Sequence, residues 1–292
     1  MFLLKTLSRL PLPALYVISG IVSFFIFTLF RYRRSVSYKN LRRSFPNKSE
    51  AEILTIQKDC YQYLTDVFFE VCKAYQLPEA ELAARVKLEN VAEIKEILAG
   101  GQAVLLLTAH TGPVEWLAHA GSIYLDVPID PAYKPTHNKT VDKFIFAIRS
   151  RYRATPIPYK TLAKDLSYRK NVVRAVGILA DLEPRSRDQA VRLDFLNQPT
   201  RFFLGAERVA RMYNMPVFFA AIKRTRRGYY TATLQCLSLD PKALEPEQLT
   251  QKYAQCIESL ILENPYAWLW THRRWKEKHM KPDSQAVSSK ST

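Results

Sequence analysis

The segment AVLLLTAHTGPVE, residues 103–115, indicates the class of fold. Its first five residues form a compact apolar run, which is typical of a strand buried on both faces of a parallel sheet. Similar runs occupy residues 176–180 and 216–222, and residues 229–237 alternate like a further strand. Strands therefore alternate with helical patterns, which predicts an α/β fold with a mixed, mostly parallel sheet flanked by helices. The predicted helices cover residues 49–75, 90–98, 140–153, 159–174, 203–213 and 246–263.

Composition excludes several classes of protein. The chain has 292 residues, of which 48% are apolar, so it can bury a sizeable core. Its eight glycines form no dinucleotide-binding or P-loop motif, and its four cysteines include no C-x-x-C pair that would indicate a zinc site or a disulfide scaffold. The net charge of +16 favours a polyanionic partner. Because no zinc-finger, RNP-type or basic heptad motif is present, we expect anionic lipid or an acidic protein, and no nucleic acid.

Residues 10–30 carry no charge and are long enough, at 1.5 Å per residue, to cross the ~30 Å hydrocarbon layer. We expect an uncleaved membrane helix, because the run ends in Arg31-Tyr32-Arg33-Arg34 and not in a cleavage site. A helix lying in the interface is the alternative, and a cleaved signal a weaker one.

The basic cluster after the helix is heavier than the one before it. This asymmetry predicts a single-pass membrane protein with its globular part on the cytoplasmic side. The expected organisation is a membrane anchor over residues 1–34, a globular domain over residues 35–276 and a disordered polar tail over residues 277–292.

A histidine emerges where the strand 103–107 ends, and a carboxylate follows it five residues later. Gly112 and Pro113 suit the start of a helix, so His110 and Glu115 can converge across a strand–turn–helix junction. A carboxylate held against an imidazole makes it a competent base for a hydroxyl. Two alternatives stay open at this point: Glu115 as an ordinary helix-capping residue, and a metal site formed by His110, Glu115 and His119.

The segment TAHTGPVE resembles the H-x₄-[D/E] signature of glycerolipid-type acyltransferases. Further segments, in order along almost the whole chain, resemble one branch of that superfamily, the late (lauroyl/myristoyl) lipid A biosynthesis acyltransferases of Gram-negative bacteria. These segments are SYKNLRRSFP (37–46), AYKPTHN (132–138), GILADLEP (177–184), FLNQP (195–199) and PYAWLWTHRRWK (265–276).

The resemblance implies transfer of a fatty acyl chain from acyl carrier protein or acyl-coenzyme A to a hydroxyl of an anionic glycolipid, with neither cofactor nor metal. The resemblance also implies that residues 35–276 are the acyltransferase domain of a bacterial inner-membrane protein. Its implied catalytic residues are His110 as the general base and Glu115, which orients it. The implied substrate-binding residues are Lys134, Asn138, Arg149 and Asp181.

Two departures from the family pattern bear on the acceptor. Lys134 stands where arginine is usual, and Asn197 stands where glycine is common. The alternatives are an acyltransferase for another membrane lipid, such as an ornithine or glycine lipid, a mannoside or an aryl polyene, and a non-catalytic membrane-anchored binding protein. No motif in this sequence specifies the acyl chain length, the donor, the acylated position or the oligomeric state.

Overall fold

The computed structural model describes residues 1–184 and 189–275. The predicted tail, residues 277–292, lies outside the described residues. The helices are α1 Phe2–Arg9, α2 Leu12–Phe24, α3 Arg34–Ser44, α4 Glu50–Lys73, α5 Glu79–Arg85, α6 Ala92–Ala99, α7 Val114–Leu125, α8 Lys139–Arg149, α9 Leu162–Tyr168, α10 Gly205–Tyr213 and α11 Gln248–Glu263. The strands are β1 Val86–Glu89, β2 Val104–Thr108, β3 Ile129–Tyr133, β4 Ile157–Pro158, β5 Ala175–Leu179, β6 Ala190–Phe195, β7 Gln198–Phe203, β8 Val217–Arg226 and β9 Tyr229–Ser238.

The central sheet has seven strands in the order β1-β9-β8-β2-β5-β3-β4. Strands β8, β2, β5, β3 and β4 run parallel, and β9 pairs antiparallel with β8. Both faces of β2 are covered: Leu105 and Leu107 pack into one apolar cluster, and Val104 and Leu106 into the other. The predicted mixed, mostly parallel α/β sheet is therefore confirmed, and β2 is its doubly buried central strand.

The apolar N-terminal segment forms one helix that runs from Leu12 to Leu29, with a π-helical last turn over Phe25–Leu29. It has 18 residues and a mean hydropathy of 2.1, so by length and composition it can cross a membrane. It packs against α4, to which it runs antiparallel, since Tyr16 contacts Glu70 and Phe27 contacts Tyr61.

The predicted helix over residues 159–174 ends early, at Tyr168. The chain turns there because Arg169 and Arg174 reach inward to the buried carboxylate of Asp130 on β3, at 2.8 and 2.7 Å. The sequence pattern does not predict strand β3, because Asp130 and Pro131 interrupt its apolar residues. The ion pairs satisfy that charge inside the protein.

Sequence analysis predicts no strand over the residues that form the β6–β7 hairpin. Its two-residue turn places Leu196 and Asn197 at φ of 51° and 59°. Asparagine tolerates the left-handed region better than most residues. Asn197 therefore suits this turn, which is the position where the family pattern that the chain resembles commonly has glycine. Its side chain donates to the carbonyl of Ser44 at 3.0 Å.

Candidate active site

Two neighbouring parallel strands bring the central side chains of the site together. Strands β2 and β5 are paired in a register that sets Thr108 opposite Leu179. His110 and Asp181 each lie two residues beyond these strand ends, so they meet at the carboxyl edge of the sheet, where sites of open α/β sheets gather. Nδ1 of His110 lies 2.7 Å from Oδ1 of Asp181. The backbone N–H of His110 donates to Oδ2 of the same carboxylate at 3.1 Å.

The carboxylate that is hydrogen-bonded to the His110 ring is therefore not the one that spacing along the chain predicts. Sequence reasoning pairs His110 with Glu115, whereas the structure pairs Nδ1 with Asp181. Glu115 lies in the first turn of α7 and accepts two hydrogen bonds from Arg149 of α8, at 2.8 and 3.2 Å. The helix start carries Glu115 toward α8, while the strand next to β2 supplies the partner of the ring.

Asp181 is sealed inside the protein, with none of its side chain exposed. Its Oδ2 also accepts a hydrogen bond from Nε1 of Trp268 at 3.0 Å. Burial alone would raise the pKa of this carboxyl, but the adjacent imidazole and the N–H donors lower it to about 2. Sequence analysis expects Asp181 to bind substrate; the structure places it fully covered and hydrogen-bonded to the imidazole, a position from which a carboxylate can orient the ring.

The imidazole of His110 is 35% exposed, whereas its partner carboxylate is not exposed at all. Burial opposes the charged ring, but the carboxylate of Asp181 outweighs burial and raises the pKa of His110 above its usual value. Glu115 raises this pKa further and Arg149 lowers it. Because Nδ1 faces Asp181, Nε2 is the ring nitrogen left to meet a substrate.

Two buried tyrosines, which the sequence did not single out, hold the backbone around His110. Tyr253 of α11 donates to the carbonyl of Thr108 at 2.7 Å and accepts from the N–H of Ala180 at 3.0 Å, so it bridges the ends of β2 and β5. Tyr63 of α4 donates to the carbonyl of Thr111 at 2.6 Å. Buried tyrosine hydroxyls usually have such partners, and without the fold nothing distinguishes these two from other core tyrosines.

Two further predicted substrate-binding residues, Lys134 and Asn138, are exposed on the surface. Lys134 is exposed and directly follows β3, which pairs with β5. Asn138 is exposed and caps α8, because its Oδ1 accepts from the N–H groups of Thr140 and Val141 at 3.0 and 3.2 Å. Its oxygen is thus engaged in holding the helix. His119, a ligand in the metal alternative, is buried with Nε2 2.8 Å from the carbonyl oxygen of Ile148.

The C-terminal segment is part of the core beneath the site. Trp268, Trp270 and Trp275 are buried and pack against one another. Asn40 ties this segment to α3, since its amide donates to the carbonyls of Trp270 and His272, each at 2.9 Å. The first and last sequence segments that resemble the family therefore meet, and through Trp268 they support Asp181.

Replacing Trp268 by phenylalanine removes one donor from the Asp181 carboxylate and leaves the ring of His110 less firmly oriented. We expect kcat to fall roughly 10- to 100-fold, since small misplacements of a reacting group carry penalties of this size. The matched control is Trp270→Phe, because Trp270 is equally buried but donates to the carbonyl of Pro265. Steady-state kinetics alongside thermal unfolding separate the effects: equal losses of kcat in both variants would reject the role of the indole.

Fold and site together define an α/β protein with a carboxylate-paired histidine at the sheet edge, a centre suited to general acid–base chemistry.

The chain belongs to the bacterial lipid A biosynthesis acyltransferase family, whose model matches residues 1–277. This membership indicates an acyltransferase and confirms the family that the sequence segments suggest. No curated protein matches the chain.

Proposed function

We propose that the protein transfers a fatty acyl chain from a thioester donor, acyl carrier protein or acyl-coenzyme A, to a hydroxyl of a lipid A-type glycolipid. The observation that carries the proposal is the His110–Asp181 pair, which leaves Nε2 available on a part-exposed ring. Family membership supplies the reaction class. The geometry supports general-base activation of a hydroxyl, the step that acyl transfer to an alcohol needs.

In the proposed reaction, Nε2 of His110 takes the proton of the acceptor hydroxyl as the oxygen attacks the thioester carbonyl. The C–O bond forms, the carbonyl electron pair moves onto oxygen and a tetrahedral oxyanion results. When this intermediate collapses, the C–S bond breaks and the imidazolium returns its proton to the departing sulfur. The ester and a free thiol leave, and the histidine is neutral again.

Asp181 acts through the ring and not on the substrate. As an acceptor for Nδ1–H it fixes the tautomer in which Nε2 is the base, and its negative charge stabilises the imidazolium that forms. Its burial keeps solvent away, and the adjacent imidazole and N–H donors hold its pKa low, so the carboxylate carries a negative charge beside the ring. We assign it the positioning role that spacing predicts for Glu115.

Glu115 and Arg149 form the second pair of the site. Glu115 is only 6% exposed and holds a guanidinium that is 24% exposed. We propose that Glu115 positions Arg149, whose outward N–H groups bind a phosphate of the glycolipid or the developing oxyanion. Lys134, at the end of β3, adds a second cation at the same sheet edge. An acceptor with phosphate groups fits these two cations.

An apolar cleft between α7 and the sheet opens beside this pair. Its walls come from α7, β2, β3 and β5, and its lining includes Leu117, Ala118, Ile129, Gly177 and Leu179 as well as Glu115 and Arg149. We propose that the acyl chain of the donor enters here, because the lining is apolar while its mouth carries the polar groups of the site. At about 60 Å³ the cleft is smaller than a fatty chain, so it must widen when the donor binds.

The charges of the second pair predict opposite shifts of the pH profile. The base must be neutral, so kcat/KM rises as pH increases through the pKa of His110. Glu115→Gln removes a charge that raises this pKa and is expected to move the acidic limb to lower pH, whereas Arg149→Gln is expected to move it to higher pH. Shifts in the same direction would contradict this electrostatic account.

The double variant tests whether Glu115 works through Arg149. If it does, Glu115→Gln combined with Arg149→Gln should cost about as much kcat/KM as the worse single variant, since residues of one unit are not additive. Independent roles would give the product of the two single effects.

We also propose that the protein works at the cytoplasmic side of the bacterial inner membrane. The apolar helix and the basic residues that follow it support this location.

Lipid mass spectrometry of a strain that lacks the gene tests the function. The expected result is lipid A that lacks one acyl chain, restored by the wild-type gene. An unchanged lipid A profile with an acyl chain missing from another membrane lipid would move the acceptor to that lipid and reject the lipid A assignment.

A further inference from the structure

The apolar N-terminal helix carries its more polar face inward. Ser19 and Ser23 are buried, at 0% and 6% exposure, whereas Val17, Ile21 and Phe24 are 65%, 53% and 60% exposed. A helix on the surface of a water-soluble domain shows the opposite arrangement. An exposed row of large apolar side chains of this kind marks a surface that contacts lipid or a partner.

The inward face is attached to α4 by side-chain hydrogen bonds. Tyr16 donates to Oε1 of Glu70 at 2.8 Å, and Ser19 donates to Oδ1 of Asp66 at 2.6 Å. Just before this helix, the carbonyls of Ser8 and Leu10 accept hydrogen bonds from Lys73 of α4, at 3.2 and 2.9 Å.

The attachment continues to the far end of the helix. The ring of Phe27 packs edge-on against Tyr61 of α4, and the Tyr61 hydroxyl donates to the carbonyl of Tyr32. The helix is therefore fixed along its whole length to the globular part of the protein and does not project from it.

Charged residues of the β8–β9 hairpin complete this attachment. Arg224 and Arg227 both donate to Asp66, and Arg227 also donates to the carbonyl of Tyr16 at 3.1 Å. Tyr230 of β9 donates to Glu70 at 2.6 Å. These buried carboxylates depend on their partners, because an unpaired buried charge is strongly destabilising.

A helix that crossed the bilayer could not keep these contacts. With them intact, α4 and the arginines of the β8–β9 hairpin would have to enter the hydrocarbon layer, where a charged residue costs at least ~2.5–3.5 kcal/mol. Without them, Asp66 and Glu70 would lose partners inside the protein.

We propose that the helix Leu12–Leu29 lies in the plane of an anionic phospholipid bilayer and inserts its outer row of apolar side chains into one leaflet, without crossing it. Exposed cations lie where the helix ends, including Arg31, Arg33 and Lys39, and they suit anionic headgroups. This replaces the single pass that the apolar length predicts.

The same placement brings the leaflet close to the candidate site. Arg33 donates to the carbonyl of Thr271 at 3.1 Å, in the segment whose Trp268 supports Asp181. A glycolipid acceptor could then reach His110 from the leaflet that holds it. This consequence rests on the proposed function, whereas the position of the helix does not.

Depth measurements test the proposal without reference to activity. The partly exposed Cys236 and Cys256 are replaced by serine, and a bimane label is placed on Val17→Cys, Ile21→Cys or Thr28→Cys, all on the outer row, with exposed Lys87→Cys on β1 as the matched control. Each full-length variant is reconstituted into phosphatidylethanolamine–phosphatidylglycerol vesicles. Quenching by lipids brominated at different depths then locates each label.

The expected result is quenching at a common shallow depth for all three outer labels and none at position 87. A crossing helix would instead place position 21 near the midplane, with positions 17 and 28 about 6 and 10 Å shallower at 1.5 Å per residue. That pattern, or no quenching of any outer label, would overturn the proposal. If the reconstituted wild-type protein transfers no acyl chain while the labels keep their shallow depth, the proposed function is rejected and the in-plane position of the helix stands.

Discussion

Acyl transfer is expected to fall at least ~10³-fold when His110 is replaced by alanine, while the protein remains folded. General acid–base catalysis by a positioned side chain typically contributes 10²- to 10⁴-fold, and here both the attack and the departure of the thiol depend on the same ring. The ring is 35% exposed, so its removal opens no large cavity in the core. The measurement is transfer from an acyl-thioester donor by the purified variant, with thermal unfolding as the check on folding. Near-normal turnover would reject His110 as the base.

Replacing Asp181 by asparagine is the second large effect, with an expected loss of about 10²- to 10⁴-fold in kcat. An asparagine can present an N–H to Nδ1 and so hold the tautomer in which Nε2 is no longer the base. The carboxylate also raises the pKa of His110 against the opposing effect of burial. Without it, the acidic limb of kcat/KM is expected to move to lower pH.

Stability gives an independent readout of the same pair. A raised histidine pKa contributes stability that is fully present below the ordinary value near ~6.5 and is lost as pH rises through the pKa in the folded protein. The difference in unfolding free energy between wild type and Asp181→Asn should therefore be larger at pH 6 than at pH 9. A merely structural carboxylate would give the same difference at both pH values and would leave the acidic limb of the rate profile in place.

Local pattern was sufficient for the strand that places His110 and insufficient for its partner. The apolar run before the histidine predicts a doubly buried strand, and β2 is one. Asp181, however, lies 71 residues away and comes close only because β5 pairs with β2 in one particular register. Spacing along the chain favours a carboxylate five residues on, and no local pattern reveals which strand will be the neighbour.

Interactions between distant segments account for the other differences. The early end of α9 depends on the buried carboxylate of Asp130, and the β6–β7 turn depends on an asparagine that adopts a conformation typical of glycine. The apolar length of residues 10–30 predicts one long apolar helix, and the structure has one from Leu12 to Leu29. Its position relative to a bilayer depends on Asp66 and Glu70, which become its partners only in the folded protein.

We propose that a neutral imidazole at position 110 activates a glycolipid hydroxyl for attack on an acyl thioester. The most direct measurement is mass spectrometry of the glycolipid after incubation of the purified full-length protein with a lipid A-type acceptor and a ¹³C-labelled acyl-thioester, next to the His110→Ala variant. If this mechanism is right, wild type adds one labelled acyl chain in ester linkage for each thiol released, and the variant adds almost none. Equal labelling by the two proteins, or thiol release with no labelled glycolipid, would contradict it.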